Sequence, residues 1–310
     1  MTGVPAWRGP RRHAGEFRLP MDGTMNAPAL PAPLILNGPG DARVEASAFG
    51  AHLLSWHCRG QERLYLSPNA GFGAGKAIRG GVPVIFPQFG ERGDGPRHGF
   101  ARTLTWEAES ADPADPQAAR LSFRLADREE TRRHWPHRFE AGLDIEPGAD
   151  RLRIALSVRN RDRSAFEFSA ALHTYLAVSD IATTLVHGLE DRPYLDSAQA
   201  GAACPPSDAP VRFDGEVDRI YADTRRPLRI TDGEQMLRCE AEGFADTVVW
   251  NPGEALAAGM ADLAPGGHRR FVCVEAAQVL RPVRLEPGEA WTGAQILILE
   301  GSAAQYRIGG

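Results

Sequence analysis

Glu275 closes the segment FVCVE, in which every other residue is apolar. An ionised carboxylate is costly to bury unpaired. Glu275 therefore either emerges from its strand into solvent or lines a polar pocket. In a pocket, burial raises its pKa toward that of a useful base, unless an arginine holds it down. His173 is the second residue that could move a proton. It shares one face of an alternating stretch with Ser169, Ala171 and Tyr175, opposite Phe166 and Phe168. Small neighbours leave space in front of its ring, although the same setting suits a structural histidine. Asp218, in EVDRIY, is a third candidate, and Arg219 beside it offers an alternative partner.

A second kind of chemistry is written into AIRGGVPVIFPQFGERGDGPRHGFAR, residues 77–102. Pro83 and Pro87 cannot donate to a sheet ladder, so this is no ordinary central strand. Gly80, Gly81, Gly93, Gly95 and Gly99 permit turns that a Cβ would resist. The segment can fold back and bring Arg79, Arg92, Arg97, His98 and Arg102 together. Arginine suits a bidentate grip on carboxylate or phosphate, so the loop points to a small anionic ligand. The competing expectation is local pairing with Glu91 and Asp94. Other machinery is missing from the sequence. There is no G-x-S-x-G elbow, HExxH pair, P-loop or CxxC pair.

The elements that must position these residues read as strands. Leu152, Ile154, Leu156 and Val158 alternate with polar neighbours, the clearest two-residue period in the chain. Similar runs begin at Val44, His52, Leu121, Phe166, Leu228, Thr247, Arg270 and Ala294, with glycine and proline between them. The pattern predicts an all-β fold, a large antiparallel β-sandwich. The one helical stretch is Asp127–Trp135, with Asp127 as its N-cap and Pro136 as its stop. Residues 1–33 carry no periodicity and no signal-peptide core, so a disordered tail is expected there. Residues 34–310 read as a single domain. A net charge of −5 argues against a nucleic-acid binder, and no apolar run reaches 18 residues, so no membrane partner is expected. Four scattered cysteines fit a reducing, cytoplasmic setting with each thiol a packing residue.

Taken in order, AIRGGVPVIFPQFG with RHGFAR, then ALHTYLAVSDI, VDRIY, WNPG and FVCVE resemble the D-hexose-6-phosphate mutarotases. These form the glucose-6-phosphate 1-epimerase branch of the aldose 1-epimerase superfamily, and the resemblance covers roughly residues 34–298. It implies a galactose mutarotase-like β-sandwich that interconverts α and β anomers of hexose 6-phosphates. It further implies His173 as general acid and Glu275 as general base, with Arg79 and Arg102 on the substrate phosphate. Asp218 is implied to bind sugar hydroxyls, with His98 in the same pocket loop. Arg97 departs from relatives, which carry a small or amide residue there, and is a further candidate for the substrate. Gln88 stands where some relatives have tryptophan. Ring opening and reclosure by an acid and a base needs no metal or cofactor. The expected partner is a small hexose phosphate, and the protein is expected to be a monomer. The alternatives are an aldose 1-epimerase for unphosphorylated sugars, a non-catalytic carbohydrate-binding protein, and a glycosidase using Glu275 with Asp218.

Overall fold

The structure, a computed structural model, describes residues 32–73, 75–111 and 119–301. The tail expected over residues 1–33 lies outside these apart from its last two positions. Two eight-stranded sheets and one four-stranded sheet account for most of the described chain, and every strand pairing within them is antiparallel. The expected all-β sandwich is what forms. Among the described residues no helix is long and apolar enough to cross a membrane.

The first eight-stranded sheet carries the candidate residues. Its central strands run Val217–Tyr221, Asp246–Asn251, Phe271–Leu285 and Phe166–Leu172 in spatial order, with the two-residue strand Val84–Ile85 at the edge. Val217, Tyr221, Val249, Val272, Val274 and Leu172 point into the main core, where they meet Leu152, Ile154, Leu156, Leu297 and Leu299 of the second sheet. Side chains alternate across a strand, so Asp218, Ile220, Val248, Trp250, Cys273 and Glu275 lie on the other face. Loops cover that face as well: Phe89 packs there with Ile220, Val248 and the edge-strand Ile85, and Leu263 packs with Tyr175 and Cys273. A strand covered on both sides reads as a continuous apolar run. FVCVE looks the way it does for that reason.

Two sequence expectations are corrected here. Glu275 does not end its strand, which continues for fifteen residues from Phe271 to Leu285. Pro282 and the broken alternation after Gln278 hide the continuation in the sequence, and in the structure a bulge shifts the register there, between Phe168 and Ala170 on the partner strand. Asp246, buried at the neighbouring strand, accepts from the backbone N–H groups of Val279 and Leu280 and holds that bulge. The short helix spans Glu129–His134 and is entered from Arg128, so Asp127 is not its cap. Asp127 still belongs to the sheet: its N–H donates to Phe139 O, and its carboxylate accepts from Phe139 N–H and pairs with Arg132. The stop before Pro136 holds, with Trp135 as C-cap.

The glycine loop is anchored by close backbone approach. Gly99 has φ +70°, and a Cβ there would sit 2.0 Å from Phe86 O. Gly90 has φ +58° but open space around it. Left-handed backbone costs an alanine about 1–2 kcal/mol at either site, and overpacking adds about 1–3 kcal/mol at Gly99 alone. In chemical denaturation, Gly99→Ala is expected to lose at least twice the stability lost by Gly90→Ala. Equal losses would show that the Phe86–Gly99 approach does not constrain the loop.

Candidate active site

Strand register sets the central contact. Leu172 lies opposite Ala276, and Tyr175 opposite Cys273, so the register is unchanged across the break between their two strand segments. His173 consequently faces Glu275, and Thr174 faces Val274. Side chains directly opposite on one face of a strand pair sit close enough to touch. His173 Nδ1 lies 3.2 Å from Glu275 Oε1. Of the two alternatives posed by the sequence, the solvent-facing one fails: Glu275 is 2% exposed, and His173, which it faces, is 9% exposed. The approach is close but not aligned as a hydrogen bond, and His173 Nδ1 and Glu275 Oε2 have no other partner among the described residues. His173 is held by its neighbours. Its ring stacks on Tyr175 at 4.9 Å and 10°, and meets Trp250 edge-on at 5.6 Å.

Burial governs the charge of both groups. It pushes the Glu275 carboxyl well up, Asp218 adds to that, and Arg102 opposes it. It pushes the His173 imidazole well down, and the positive field of Arg102 and Arg79 works the same way. A raised carboxylic acid beside a depressed imidazole favours one proton shared between them, with little net charge.

The glycine loop and its flanks bring positive charge to this pair. Arg79 Nε donates to Asp262 Oδ2 at 3.1 Å, and its Nη1 donates to Tyr175 Oη at 2.9 Å. Its guanidinium also lies 6.0 Å from the Trp250 ring centre. Burial works against the Arg79 charge, but Tyr175 and Asp262 outweigh it and its pKa is raised. Arg102 is held differently. Its Nη2 donates to Arg97 O at 2.9 Å, while Nε is buried with no partner among the described residues. Burial and the nearby Arg79 and Arg97 charges bring Arg102 down to about 10. Arg97 is exposed, and its charge is felt at His98, Arg102 and Asp218. His98 sits between these groups with Nδ1 accepting from Gly90 N–H at 3.2 Å, so the ring proton resides on Nε2. Burial, then Arg102, Arg97 and Arg79, lower its pKa to about 3, and it is neutral at pH 7. Local pairing with Glu91 and Asp94 does not form for Arg79 or Arg102.

Asp218 lies on the same sheet face, opposite Trp250, which in turn lies opposite Cys273. One strand, Asp246–Asn251, lies between it and the strand that bears Glu275, so two inter-strand spacings of about 4.8 Å each separate them. Its pKa is raised by burial, against a hydrogen bond from Ser197. Arg219 is not its partner; that guanidinium lies over the Tyr194 ring at 4.6 Å. The structure thus brings His173, Glu275, Arg79, Arg102, His98 and Asp218 into one cluster of interacting groups, with Arg97 exposed beside it, whereas nothing among the described residues ties Arg92 to it. Sequence reasoning missed Tyr175, Trp250 and Asp262 as members. Tyr175 was visible on the His173 face. Asp262 stands 183 residues from Arg79 with no motif around it.

What this arrangement can do is proton transfer beside an anion-binding wall. Comparison with known proteins agrees. The profile of the family described as aldose 1-epimerase matches residues 34–297. A protein of Cenchrus ciliaris provisionally named a glucose-6-phosphate 1-epimerase is 36% identical, over 84% of this chain and 82% of its own length. One of Escherichia coli K12 with the same provisional name is 39% identical, over 74% of this chain and 77% of its own. Among solved structures, the crystal structure of YeaD from Salmonella typhimurium, provisionally described as a mutarotase, superimposes with a TM-score of 0.77 at 32% identity, covering 86% of this chain and 90% of that one. With a family match over nearly the whole sandwich and relatives above 30% identity across most of both chains, this chain belongs to the aldose 1-epimerase family.

Proposed function

We propose that the protein interconverts the α and β anomers of D-hexose 6-phosphates, glucose 6-phosphate first among them. The family makes it an isomerase; the phosphorylated substrate and the roles of the residues are our reading. The observation that carries it is the buried His173–Glu275 approach beside an arginine-lined wall. Mutarotation moves two protons at one carbon. A base takes the anomeric hydroxyl proton while an acid protonates the ring oxygen, and the C1–ring oxygen bond breaks. Both oxygens are bonded to C1, so the groups that serve them have to lie close together. His173 and Glu275 meet that requirement.

Glu275, as carboxylate, accepts the hydroxyl proton; His173, as imidazolium, gives its proton to the ring oxygen. The open aldehyde is left with a neutral acid and a neutral imidazole, the form that burial favours. Rotation about the C1–C2 bond presents the other carbonyl face, and closure returns both protons. Positioned acids and bases contribute about 10²–10⁴-fold each. Asp218 takes sugar hydroxyls. Arg102, whose Nε has no partner among the described residues, is the principal phosphate ligand, with Arg97 as a second and Arg79 as a braced contributor. The four unpaired cysteines fit the reducing, cytoplasmic setting that is part of this reading, and the protein is taken to act as a monomer.

Anomer exchange of glucose 6-phosphate, followed by NMR, tests the pair. Glu275→Gln should lower the exchange rate at least ~10²-fold while leaving the fold intact. Near-native exchange would remove Glu275 from the mechanism. In the wild type the pair must hold one proton, so the rate should be bell-shaped in pH. The acid limb reports a second proton arriving at His173, whose affinity is depressed, and should fall below 6.5. The alkaline limb reports loss of the proton at Glu275, whose affinity is raised, and should lie above 4.5.

The arginines are tested by substrate selectivity. A charge-assisted bond to phosphate is worth roughly 1.5–3 kcal/mol, so Arg102→Ala should weaken glucose 6-phosphate use about ten- to a hundredfold. Arg97→Gln should act in the same direction more weakly, since its side chain is exposed. Turnover of free glucose should change little in both variants. Equal losses on phosphorylated and free sugar would return the assignment to an epimerase of unphosphorylated aldoses.

A further inference from the structure

Directly behind the catalytic pair, on the core side of the sheet, stands a buried amide. Gln295 belongs to the strand Ala290–Leu299 of the opposite sheet and is 2% exposed. It shares the core-facing side of that strand with Leu297 and Leu299. Its Nε2 donates to Val274 O at 2.8 Å, and its Oε1 accepts from the Thr174 hydroxyl. Val274 N–H donates to Thr174 O at 3.2 Å. These three bonds close a ring. Its members are the residue after His173, the residue before Glu275, and one amide from across the sandwich.

The polarity of the ring is fixed by elementary chemistry. Val274 O can only accept, so the amide nitrogen of Gln295 must face it. Oε1 then faces Thr174, whose hydroxyl must donate; its alternative acceptor, Leu172 O, is 3.5 Å away. A polar side chain in an apolar core is costly unless its bonds are made. Both ends of this one are used, and both uses fall where the ladder between the two strands is broken, between Leu172 and Tyr175. Thr174 and Val274 cannot shift along or across the strands without breaking the ring. His173 and Glu275 point to the opposite face from these same two backbones.

We propose that Gln295 is a positioning residue: through Thr174 and Val274 it sets the spacing of His173 and Glu275. The proposal rests on the acid–base roles given to that pair. A misplacement on the order of 1 Å can cost about 10²-fold in rate, so the effect should appear in turnover rather than in substrate affinity.

Thr174→Val removes the hydroxyl at nearly constant shape, Thr174→Ser keeps it, and Gln295→Leu removes the amide. With glucose 6-phosphate in the NMR exchange assay, Thr174→Val and Gln295→Leu should lower kcat about ten- to a hundredfold with KM changed less than about threefold. Thr174→Ser should stay near the wild-type rate. The pH titration of the His173 ring, read from its carbon-bound proton shifts, should move in Thr174→Val and not in Thr174→Ser. A folded Thr174→Val protein with a wild-type kcat and an unmoved His173 titration overturns the proposal. So does a loss of activity that merely tracks the loss of folded protein. Should Gln295→Leu not fold, the two Thr174 variants decide. Glu275→Gln, run alongside, separates the two claims. If it is inactive while Thr174→Val is normal, the positioning role fails alone; if it is active, the acid–base assignment fails, and the His173 titration still reports on the ring.

Discussion

A carboxyl group and an imidazole, both withdrawn from water and set against each other across two strands, impose conditions on everything around them. Isolated burial of either charge is heavily disfavoured. Sharing one proton lets the pair stay near neutrality, and the shifts of Glu275 and His173 run in opposite directions as that requires. The condition for such sharing is geometric. Glu275 has to stand opposite His173 on a sheet face that is itself sealed, and the sheet provides this through an unchanged register on either side of the His173–Thr174 break.

Sealing explains the shape of the surroundings. Residues on both faces of the central strands are largely apolar because one face meets the second sheet and the other is roofed by loops that carry Phe89 and Leu263. The glycine loop that forms part of this roof also supplies cations, and it divides them into two kinds. Arg79 is braced by Asp262, Tyr175 and the Trp250 ring, so much of its donor capacity is already used. Arg102 keeps a buried nitrogen with no partner among the described residues and a pKa lowered to about 10, still fully charged at pH 7. A guanidinium in that state gains most from an incoming dianion, which would satisfy the nitrogen and relieve the crowding of Arg79, Arg97 and Arg102 at once. Neutral His98, set among them with its proton on Nε2, adds a donor without adding to the repulsion.

The opposite sheet takes part in this as well. Gln295 reaches through the core to the backbones beside both members of the pair, and Asp246 holds the bulge that lets the long Phe271–Leu285 strand bend past its neighbours. These two buried polar groups stand where the regular ladder fails. Gln295 and Asp246 both make bonds to backbone that the irregular ladder leaves unmade.

The sequence alone determined the all-β class, most strand positions and the membership of the pocket loop, because two-residue alternation and glycine–proline punctuation are local properties. Leu152 to Val158 and the Phe166 stretch were legible in this way, and so was the oddity of a glutamate in FVCVE. The roles of His173, Glu275 and the arginines came from an ordered set of motifs rather than from periodicity. Tertiary structure decided the rest. Whether Glu275 met solvent or a pocket depended on a strand that runs on to Leu285 through a bulge, and no local pattern marks a bulge of that kind. The helix entry at Arg128 rather than Asp127 followed from a backbone bond between Asp127 and Phe139. Asp262 as the brace of Arg79, and Gln295 as the link behind the pair, join residues far apart in the chain. Their partners are set by register and by the packing of one sheet on another, and those are properties of the folded molecule as a whole.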